Sequence, residues 1–295
     1  MTRNPISATA TFEAARRRLL SIAYRMLGSV AEAEDVVQET WIRWHEAQAL
    51  PLTTPVAWLT TVATRLAIDR LRHLQHERAT VAVPWLPEPW MEDCAPSAED
   101  AVSMLSDLSY GVLLMLERLS PDERAALLLH EVFDCQYEEI ARTLGKTPVH
   151  CRQLVRRAKE RVQSGRVRRI ADERACRETA QEFVAAICRQ DKQAMLQLLV
   201  PDAVVMSNRG IGTQAAGSFV DGVLSLQASG AHVACAVVNG GWGATFLQHG
   251  KIALALSFDM DGAAIHTVYA IADPGRRGQV CPSPVLQLLQ EAVTA

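Results

Sequence analysis

Two short helices joined by a tight turn are predicted by the stretch Tyr137-Glu-Glu-Ile-Ala-Arg-Thr-Leu-Gly-Lys-Thr-Pro-Val-His-Cys-Arg-Gln-Leu-Val-Arg-Arg-Ala158. The first helix can end at Gly145, because glycine adopts the positive φ that closes a helix without steric cost. The second can begin at once, since Thr147 is a good N-cap and Pro148 suits the first helical position. A short turn of this kind is the signature of a helix-turn-helix, whose second helix enters the major groove of DNA.

The second helix of this stretch has one apolar and one polar side. Its apolar stripe recurs at helical spacing and consists of Cys151, Val155, Ala158 and Val162. The side chains predicted to point outward are His150, Arg152, Gln153, Arg156 and Arg157. Arginine and glutamine read guanine and adenine edges or clamp phosphates. The alternative is an ordinary helical hairpin with a basic solvated face; cap, turn and charge together favour DNA binding.

Composition limits the remaining possibilities. With 295 residues, the chain should contain two or three compact units, and its net charge of −3 by itself neither favours nor excludes nucleic acid. The seven cysteines include no C-x-x-C pair, which indicates reduced thiols and argues against a disulfide framework or a zinc site. No leader-like or membrane-spanning segment is evident. We therefore expect a cytoplasmic protein without a membrane partner, metal or cofactor.

Secondary-structure signals change twice along the chain. Residues 11–78 have helical periodicity, with a stop and restart at Gly28-Ser29, and residues 81–97 read as a proline-rich connector. Helical periodicity resumes near residue 101 and continues to about 163. After Arg169, helices over 173–189 and 192–199 lead into alternating segments. The predicted strands span 231–238, 244–247, 252–258 and 266–272. Helices followed by antiparallel strands predict an α+β domain.

Three ordered motifs resemble the extracytoplasmic-function sigma factors of the sigma-70 family. Phe12-Glu-Ala-Ala-Arg-Arg-Arg-Leu-Leu-Ser-Ile-Ala-Tyr-Arg-Met-Leu-Gly28, followed by Ala33-Glu-Asp-Val-Val-Gln-Glu-Thr-Trp41, resembles their region 2. Leu116-Glu-Arg-Leu-Ser-Pro-Asp-Glu-Arg124 and the helix-turn-helix are similar to their region 4. The connector motif consists of Trp85, Leu86, Pro87, Glu88 and Pro89. That motif is typical of the subgroup with a SnoaL-like C-terminal domain.

The resemblance implies a multidomain fold with two all-α domains followed by an α+β SnoaL-like cone. Region 2, a helical bundle, is expected over residues 1–78, and the linker over 79–107. Region 4, with the helix-turn-helix, is expected over 108–169. The SnoaL-like domain is expected over 170–295. The implied function is transcription initiation: the protein would bind core RNA polymerase and direct it to promoter DNA, while its C-terminal domain modulates activity in cis.

Site residues follow from the same resemblance. Asp35, Gln38 and Glu39 would dock on the clamp of the polymerase β′ subunit, where acids suit an arginine-rich partner helix. Trp44, Arg65 and Arg72 would engage the −10 element, because melting requires unstacked bases to be caught by aromatic and basic groups. Trp58 is a further aromatic candidate, although we expect it to pack in the core. The five outward residues of the second helix match the family positions that face the −35 element.

The C-terminal segment departs from its family in two places. Related proteins carry a glycine-rich motif where this chain has Ser207-Asn-Arg-Gly-Ile-Gly-Thr213, and an Asn-Pro-Asp-Lys-Leu motif near Tyr269–Arg277. Candidate acid–base groups in its pocket are His232, His249, Asp259 and His266. They form no recognisable motif, so we expect no catalytic residues; a small-molecule ligand in the pocket stays open. The competing functions are an enzyme fused to a DNA-binding module, and a DNA-binding regulator that never contacts polymerase.

Overall fold

The computed structural model describes residues 5–47, 54–79, 86–89, 110–163, 172–207, 216–261 and 264–272. The chain forms two compact units. One joins Met1–Val81 to Leu113–Arg166, and the other joins Ala82–Val112 to Val167–Ala295. The first unit therefore holds the first segment predicted to be an all-α domain and most of the second. The second holds most of the predicted linker and the predicted C-terminal domain.

The first helical bundle consists of α1 (Pro5–Leu27), α2 (Val30–Glu46) and α3 (Pro55–Ala79). The predicted stop and restart is confirmed, since Gly28 has a φ of +66° and α2 begins two residues later. Ser29 caps α2, because its side chain accepts a hydrogen bond from the Glu32 N–H. Apolar side chains from all three helices fill the core. The largest that are fully buried are Leu19, Ile22, Tyr24, Met26, Leu27, Trp44, Leu59 and Leu71.

The second helical bundle consists of α4 (Tyr110–Leu116), α5 (Pro121–Glu131), α6 (Tyr137–Leu144) and α7 (Pro148–Gln163). The helix-turn-helix prediction is confirmed in detail. Gly145 ends α6 with a φ of +64°, and the Thr147 hydroxyl accepts a hydrogen bond of 3.2 Å from the His150 N–H at the start of α7. The buried stripe of α7 includes Leu154 as well as the predicted Cys151, Val155 and Ala158. Val162 is half-buried.

Arginines tie these two bundles together inside the first unit. Arg124 of α5 is 1% exposed, and its Nη1 donates to the Met26 carbonyl in the last turn of α1 at 2.7 Å. Arg18 of α1 donates from Nη2 to the Phe133 carbonyl, just beyond α5, at 3.0 Å. The last carbonyls of a helix have no partner within that helix, so an arginine from outside can satisfy them.

The second unit contains α8 (Glu173–Cys188), α9 (Lys192–Gln197), α10 (Ala216–Ala228) and a five-stranded sheet. Its strands are β1 (Leu199–Ser207), β2 (His232–Val238), β3 (Gly241–Gln248), β4 (Lys251–Met260) and β5 (Ile265–Ala272). Their spatial order is β1-β5-β4-β3-β2. The four predicted strands are confirmed as β2–β5. The expectation of an antiparallel sheet needs one correction, because β1 pairs with β5 in parallel. The long connection between these strands permits that pairing.

The core of the second unit lies between the helices and one face of the sheet. Phe183 of α8 meets Phe258 of β4 edge-to-face, with ring centroids 5.0 Å apart. Such aromatic pairs add to the stabilisation from burial alone. Of the connector motif, Leu86–Pro89 is described and Leu86 is 6% exposed, whereas Trp85 lies outside the described residues. No helix among the described residues is long and apolar enough to cross a bilayer.

Gly243 gives a test of the sheet. A Cβ added there would lie 1.9 Å from the Leu256 carbonyl oxygen, so Gly243→Ala must push β3 and β4 apart. We expect this overpacking to cost about 1–3 kcal/mol. Gly222 of α10 is the matched control, since nothing lies within 4 Å of a Cβ there. Gly222→Ala should instead stabilise by about 0.5–1 kcal/mol. Calorimetry of both variants measures the difference, and equal unfolding temperatures would contradict this account of the sheet.

Candidate nucleic-acid interface

The outer face of α7 carries all five residues predicted to face the −35 element. His150, Arg152, Gln153, Arg156 and Arg157 are exposed. They lie opposite the buried Cys151, Leu154 and Val155, which attach the helix to its bundle. Their side chains are held to different degrees, and this decides how each could meet a nucleic acid.

Arg152 is held over an aromatic ring. Its guanidinium carbon lies 5.1 Å from the centre of the Tyr137 ring, and its Nη2 is 3.9 Å from Glu138. Tyr137 is itself oriented by a 2.9 Å hydrogen bond between its hydroxyl and His130 Nε2. A guanidinium stacked on an aromatic ring keeps the N–H donors at its edge available. The Tyr137 ring therefore positions Arg152 and leaves these donors available for a base or a phosphate.

Arg156 is the most exposed of these arginines, at 76%. Among the described residues its close acid is Glu160, with Nε 3.6 Å from the carboxylate in an i,i+4 pair on the same helix. Exposed pairs of this kind contribute only a few tenths of a kcal/mol, about 0.3–0.5. Arg156 can therefore leave Glu160 for a base or phosphate at little cost.

Arg157 and Arg161 converge on a buried carboxylate that the sequence reasoning missed. Glu123 is 4% exposed, and it lies 3.3 Å from Arg157 Nε and within hydrogen-bond distance of Arg161 Nη1. It also closes a capping box with Ser120 at the start of α5. The signal was present as Ser-Pro-Asp-Glu, since a serine three residues before a glutamate marks such a box.

The charge of Glu123 is stabilised in the folded chain. Burial by itself raises the pKa of this carboxyl, but donation from the Ser120 N–H and hydroxyl, together with Arg161 and Arg157, lowers it below its ordinary value. The carboxylate stays ionised and holds two arginines of α7 against α5. One acid therefore both caps a helix and positions the basic helix beside it.

The exposed face of α2 carries the residues predicted to dock on the polymerase. Asp35 and Gln38 are exposed and Glu39 is partly so, all opposite the buried Val36 and Val37. Ile42 lies one turn further along the same face and is 44% exposed, an apolar residue that the sequence reasoning did not include. An apolar side chain flanked by acids is typical of a protein-binding surface.

The prediction for Trp44 is wrong. Trp44 is 1% exposed, and its indole N–H donates to the Ala8 carbonyl at 3.0 Å. A ring enclosed in the core has no face for an unpaired base, which is why Trp44 cannot catch one in this conformation. Trp58 packs against it with ring centroids 5.7 Å apart, but it is half-buried and not enclosed in the core as expected.

Arg65 and Arg72, the two basic residues predicted for the −10 element, lie on the exposed side of α3. Arg65 donates to two carbonyls at the end of α6, with Nε 2.8 Å from the Thr143 oxygen and Nη2 2.8 Å from the Arg142 oxygen. Arg72 pairs with Asp69 at 3.1 Å and with Asp122 of α5 at 3.0 Å. Both therefore reach from the first bundle to the second.

The acid–base candidates of the second unit are not brought together at one place. His232 pairs with Leu247 near His249 at one end of the sheet, and Asp259 pairs with Thr267 beside His266 at the other. His249, in the turn before β4, and His266, on β5 beside the far end of β4, lie at opposite ends of that strand. His266 pairs with Asp261 at 2.9 Å. Within the described residues no cluster of His, Cys, Asp or Glu could hold a metal ion. The degenerate motif at 207–213 and the tail beyond Ala272 lie almost wholly outside the described residues.

Comparison with known families identifies both bundles. The model "Sigma-70 region 2" matches residues 11–77, and "Sigma-70, region 4" matches residues 111–162. The chain is 39% identical over 193 residues to the "ECF RNA polymerase sigma factor SigJ" of Mycobacterium tuberculosis. It is 31% identical over 200 residues to the "Probable ECF RNA polymerase sigma factor SigI" of the same species.

These alignments differ in how much they cover. The SigJ alignment spans 65% of this chain and 62% of that relative, and the SigI alignment spans 67% and 68%. The crystal structure of Mycobacterium tuberculosis SigJ matches more of the chain, covering 90% of it and 96% of its own chain. The TM-score is 0.69 at 30% identity. The fold prediction, two helical domains followed by a SnoaL-like domain, is confirmed by this likeness.

Glu123 can be tested by its dependence on pH. Because the pKa of Glu123 is lower in the folded than in the unfolded chain, its charge stabilises the fold above the ordinary value of 4.5, and that stability is lost as pH falls through the folded pKa. Glu123→Gln should lower the free energy of unfolding by about 1–3 kcal/mol at pH 7. The difference in this free energy between the variant and the unmodified chain should become smaller below about pH 4.5. Urea unfolding from pH 7 to 3 measures it, with the exposed Glu138→Gln as control; a gap that does not change with pH would contradict the assignment.

Proposed function

The chain belongs to the extracytoplasmic-function sigma factors of the sigma-70 family, and we propose that it directs core RNA polymerase to promoters through −10 and −35 contacts. The observation that carries the proposal is the basic outer face of α7, which a capped helix-turn-helix holds away from its own core. Such a helix fits the major groove. A DNA-binding regulator that never contacts polymerase would have no use for the exposed acidic face of α2.

The −35 contact is assigned to Arg152, Gln153, Arg156 and Arg157, with His150 beside them. Arginine pairs in bidentate fashion with guanine, and glutamine with adenine, so these side chains can read a short sequence. Arg152 stacked on Tyr137 and Arg157 paired with Glu123 are the pre-positioned members. Arg156 is the most exposed of these arginines.

The polymerase contact is assigned to Asp35, Gln38, Glu39 and Ile42 on α2, against the clamp of the β′ subunit. The acids favour a basic partner surface and set register and association rate, while Ile42 supplies apolar area at the centre. Arg65 and Arg72 are assigned to the −10 element on the same bundle. Trp44 is excluded from that assignment by its burial.

The C-terminal domain is assigned a regulatory role in cis, and no catalytic step is proposed for it. Two of its candidate histidines, His249 and His266, lie at opposite ends of β4, which disfavours a fused enzyme. The connector motif shares a compact unit with this domain, and Leu86 within it is buried. The shared unit and the buried Leu86 support a role for the connector motif in the effect of the C-terminal domain on the helical bundles. The proposed function beside RNA polymerase supports a cytoplasmic location.

Reconstituted transcription tests the proposed function. Core polymerase plus this protein should produce run-off transcripts from a promoter library that core alone ignores. A pull-down with core should recover the protein at the same time. No transcript from any template together with no association with core would overturn the proposal. Specific duplex binding without either result would favour the plain DNA-binding regulator instead.

Arg156→Ala should weaken promoter recognition at the −35 element by about 1–3 kcal/mol, the scale of one good base or phosphate contact. Its exposure predicts that the fold is unaffected. Arg174→Ala is the matched control, because Arg174 is equally exposed and pairs with Glu178 in an i,i+4 pair on α8. Abortive initiation on promoters with wild-type and altered −35 elements gives the measurement. Equal activity of both variants would show that α7 does not read this element.

Asp35→Lys combined with Glu39→Lys should lower affinity for core polymerase with little change in the unfolding temperature, because Asp35 is exposed and the pair that Glu39 makes with Arg43 is an exposed i,i+4 pair that contributes little. Reversing two rim charges should reduce mainly the association rate, and the loss should shrink at high salt. Surface plasmon resonance with immobilised core measures both rates, and Glu13→Lys on the exposed side of α1 is the control. A drop in helicity would show that these residues are structural.

A further inference from the structure

The first turn of α7 presents an apolar side chain within an otherwise polar surface. Val149 is 60% exposed, the highest value among the exposed large apolar side chains of the described residues. We propose that Val149 is a specificity-determining residue of the −35 contact, which reads a thymine in the major groove through the C5-methyl group of that base. This inference rests on the proposed function and deepens it, since it adds an apolar contact to the polar set assigned above.

Helical spacing places Val149 at the centre of the outer face of α7. Gln153 and Arg156 follow it by four and seven residues and are also exposed, so the three side chains form one stripe along the helix. The opposite side of α7 is buried, with Cys151 at 0% and Leu154 at 4% exposure. Val149 is therefore directed away from the bundle, toward the bases of a duplex whose major groove receives this face.

The position of Val149 along the helix suits a base contact. It is the second residue of α7, and recognition helices contact base edges with their N-terminal residues. The stripe from Val149 to Arg156 rises by about 10 Å, which corresponds to about three base-pair steps. Val149, Gln153 and Arg156 can therefore meet neighbouring bases of one short sequence.

The backbone around Val149 is fixed before DNA arrives. The Thr147 hydroxyl accepts from the His150 N–H at 3.2 Å, and the Thr147 carbonyl accepts from the Cys151 N–H at 3.0 Å. Pro148 fixes its own φ at the first helical position. A valine in a helix keeps essentially one χ1 rotamer. The two methyl groups of Val149 therefore have a set direction, and a contact with a base costs little further ordering.

The chemistry of the side chain selects the base. In the major groove thymine presents a C5-methyl group that cytosine lacks, and apolar side chains recognise thymine by contact with that methyl group. Valine carries no hydrogen-bond donor or acceptor, so a polar base edge buried against it would lose its water without compensation. The burial of one methyl group corresponds to about a fourfold gain in affinity.

Replacement of thymine by uracil tests the contact directly, because it removes only the C5-methyl group and leaves the hydrogen-bonding edge unchanged. Core polymerase reconstituted with the full chain is first used to select promoters from a library with a randomised −35 element. Each thymine of a selected −35 element is then replaced singly by uracil, and abortive initiation is measured. We expect a thymine at which uracil lowers initiation by about fourfold.

A pair of variants that differ by one methyl group assigns this effect to Val149. Val149→Thr keeps one methyl group and should keep the difference between thymine and uracil. Val149→Ser carries the same hydroxyl without the methyl group and should abolish the difference. Val56→Ser is the matched control, because Val56 also follows a proline as the second residue of its helix and is 47% exposed. It should leave the uracil effect in the −35 element unchanged.

The possible results separate the thymine contact from the proposed function. A loss of the uracil effect in Val149→Ser but not in Val149→Thr supports the contact. An equal uracil effect in both variants, or a loss of initiation by Val149→Ser of the same size on thymine and uracil templates, would overturn it and leave the sigma-factor function intact. Selected promoters without any thymine-specific −35 position would overturn it as well. An unmodified chain that gives no transcript would instead overturn the function itself, and the contact with it.

Discussion

Arginine side chains bound to carbonyls at helix ends are the interaction on which the arrangement of the helical unit depends. Arg124 reaches the end of α1, Arg18 reaches the carbonyl beyond α5, and Arg65 reaches the end of α6. Arg124 and Arg65 satisfy backbone oxygens that a helix leaves without partners, and place positive charge at the negative end of the helix dipole. Arg18 binds a carbonyl two residues beyond the end of α5. Each bundle therefore supplies arginines that bind backbone carbonyls of the other.

This interaction connects stability to function through the choice of residue. The same guanidinium chemistry that satisfies a carbonyl also suits phosphate and guanine, so an arginine on these surfaces can exchange one partner for the other. The burial of each arginine decides whether it can exchange its partner within the protein for DNA. Arg124 is enclosed and structural, Arg156 is exposed and available, and Arg65 is exposed but occupied.

Local features of the fold were predictable from the sequence because neighbouring residues determine them. Gly145, Thr147 and Pro148 specify a helix end and a helix start on their own, and the α7 stripe follows from spacing. Contacts between distant segments were not predictable in this way. Nothing near Arg65 in the sequence points to Thr143, and the parallel pairing of β1 with β5 depends on a long connection. Trp44 was misassigned because tryptophan suits both a core and a base-stacking surface; its place four residues after the buried Thr40 was the available clue.

The distance between the two bundles can be measured in the free protein and again in the presence of core polymerase and promoter DNA. Labels at the exposed positions 13 on α1 and 160 on α7 can report it by double electron–electron resonance. We expect one narrow, short distance in the free protein and a clearly longer one after core polymerase and promoter DNA are added. The same distance in both states would contradict the proposed function, because two bundles packed together cannot reach two promoter elements that lie apart on the DNA.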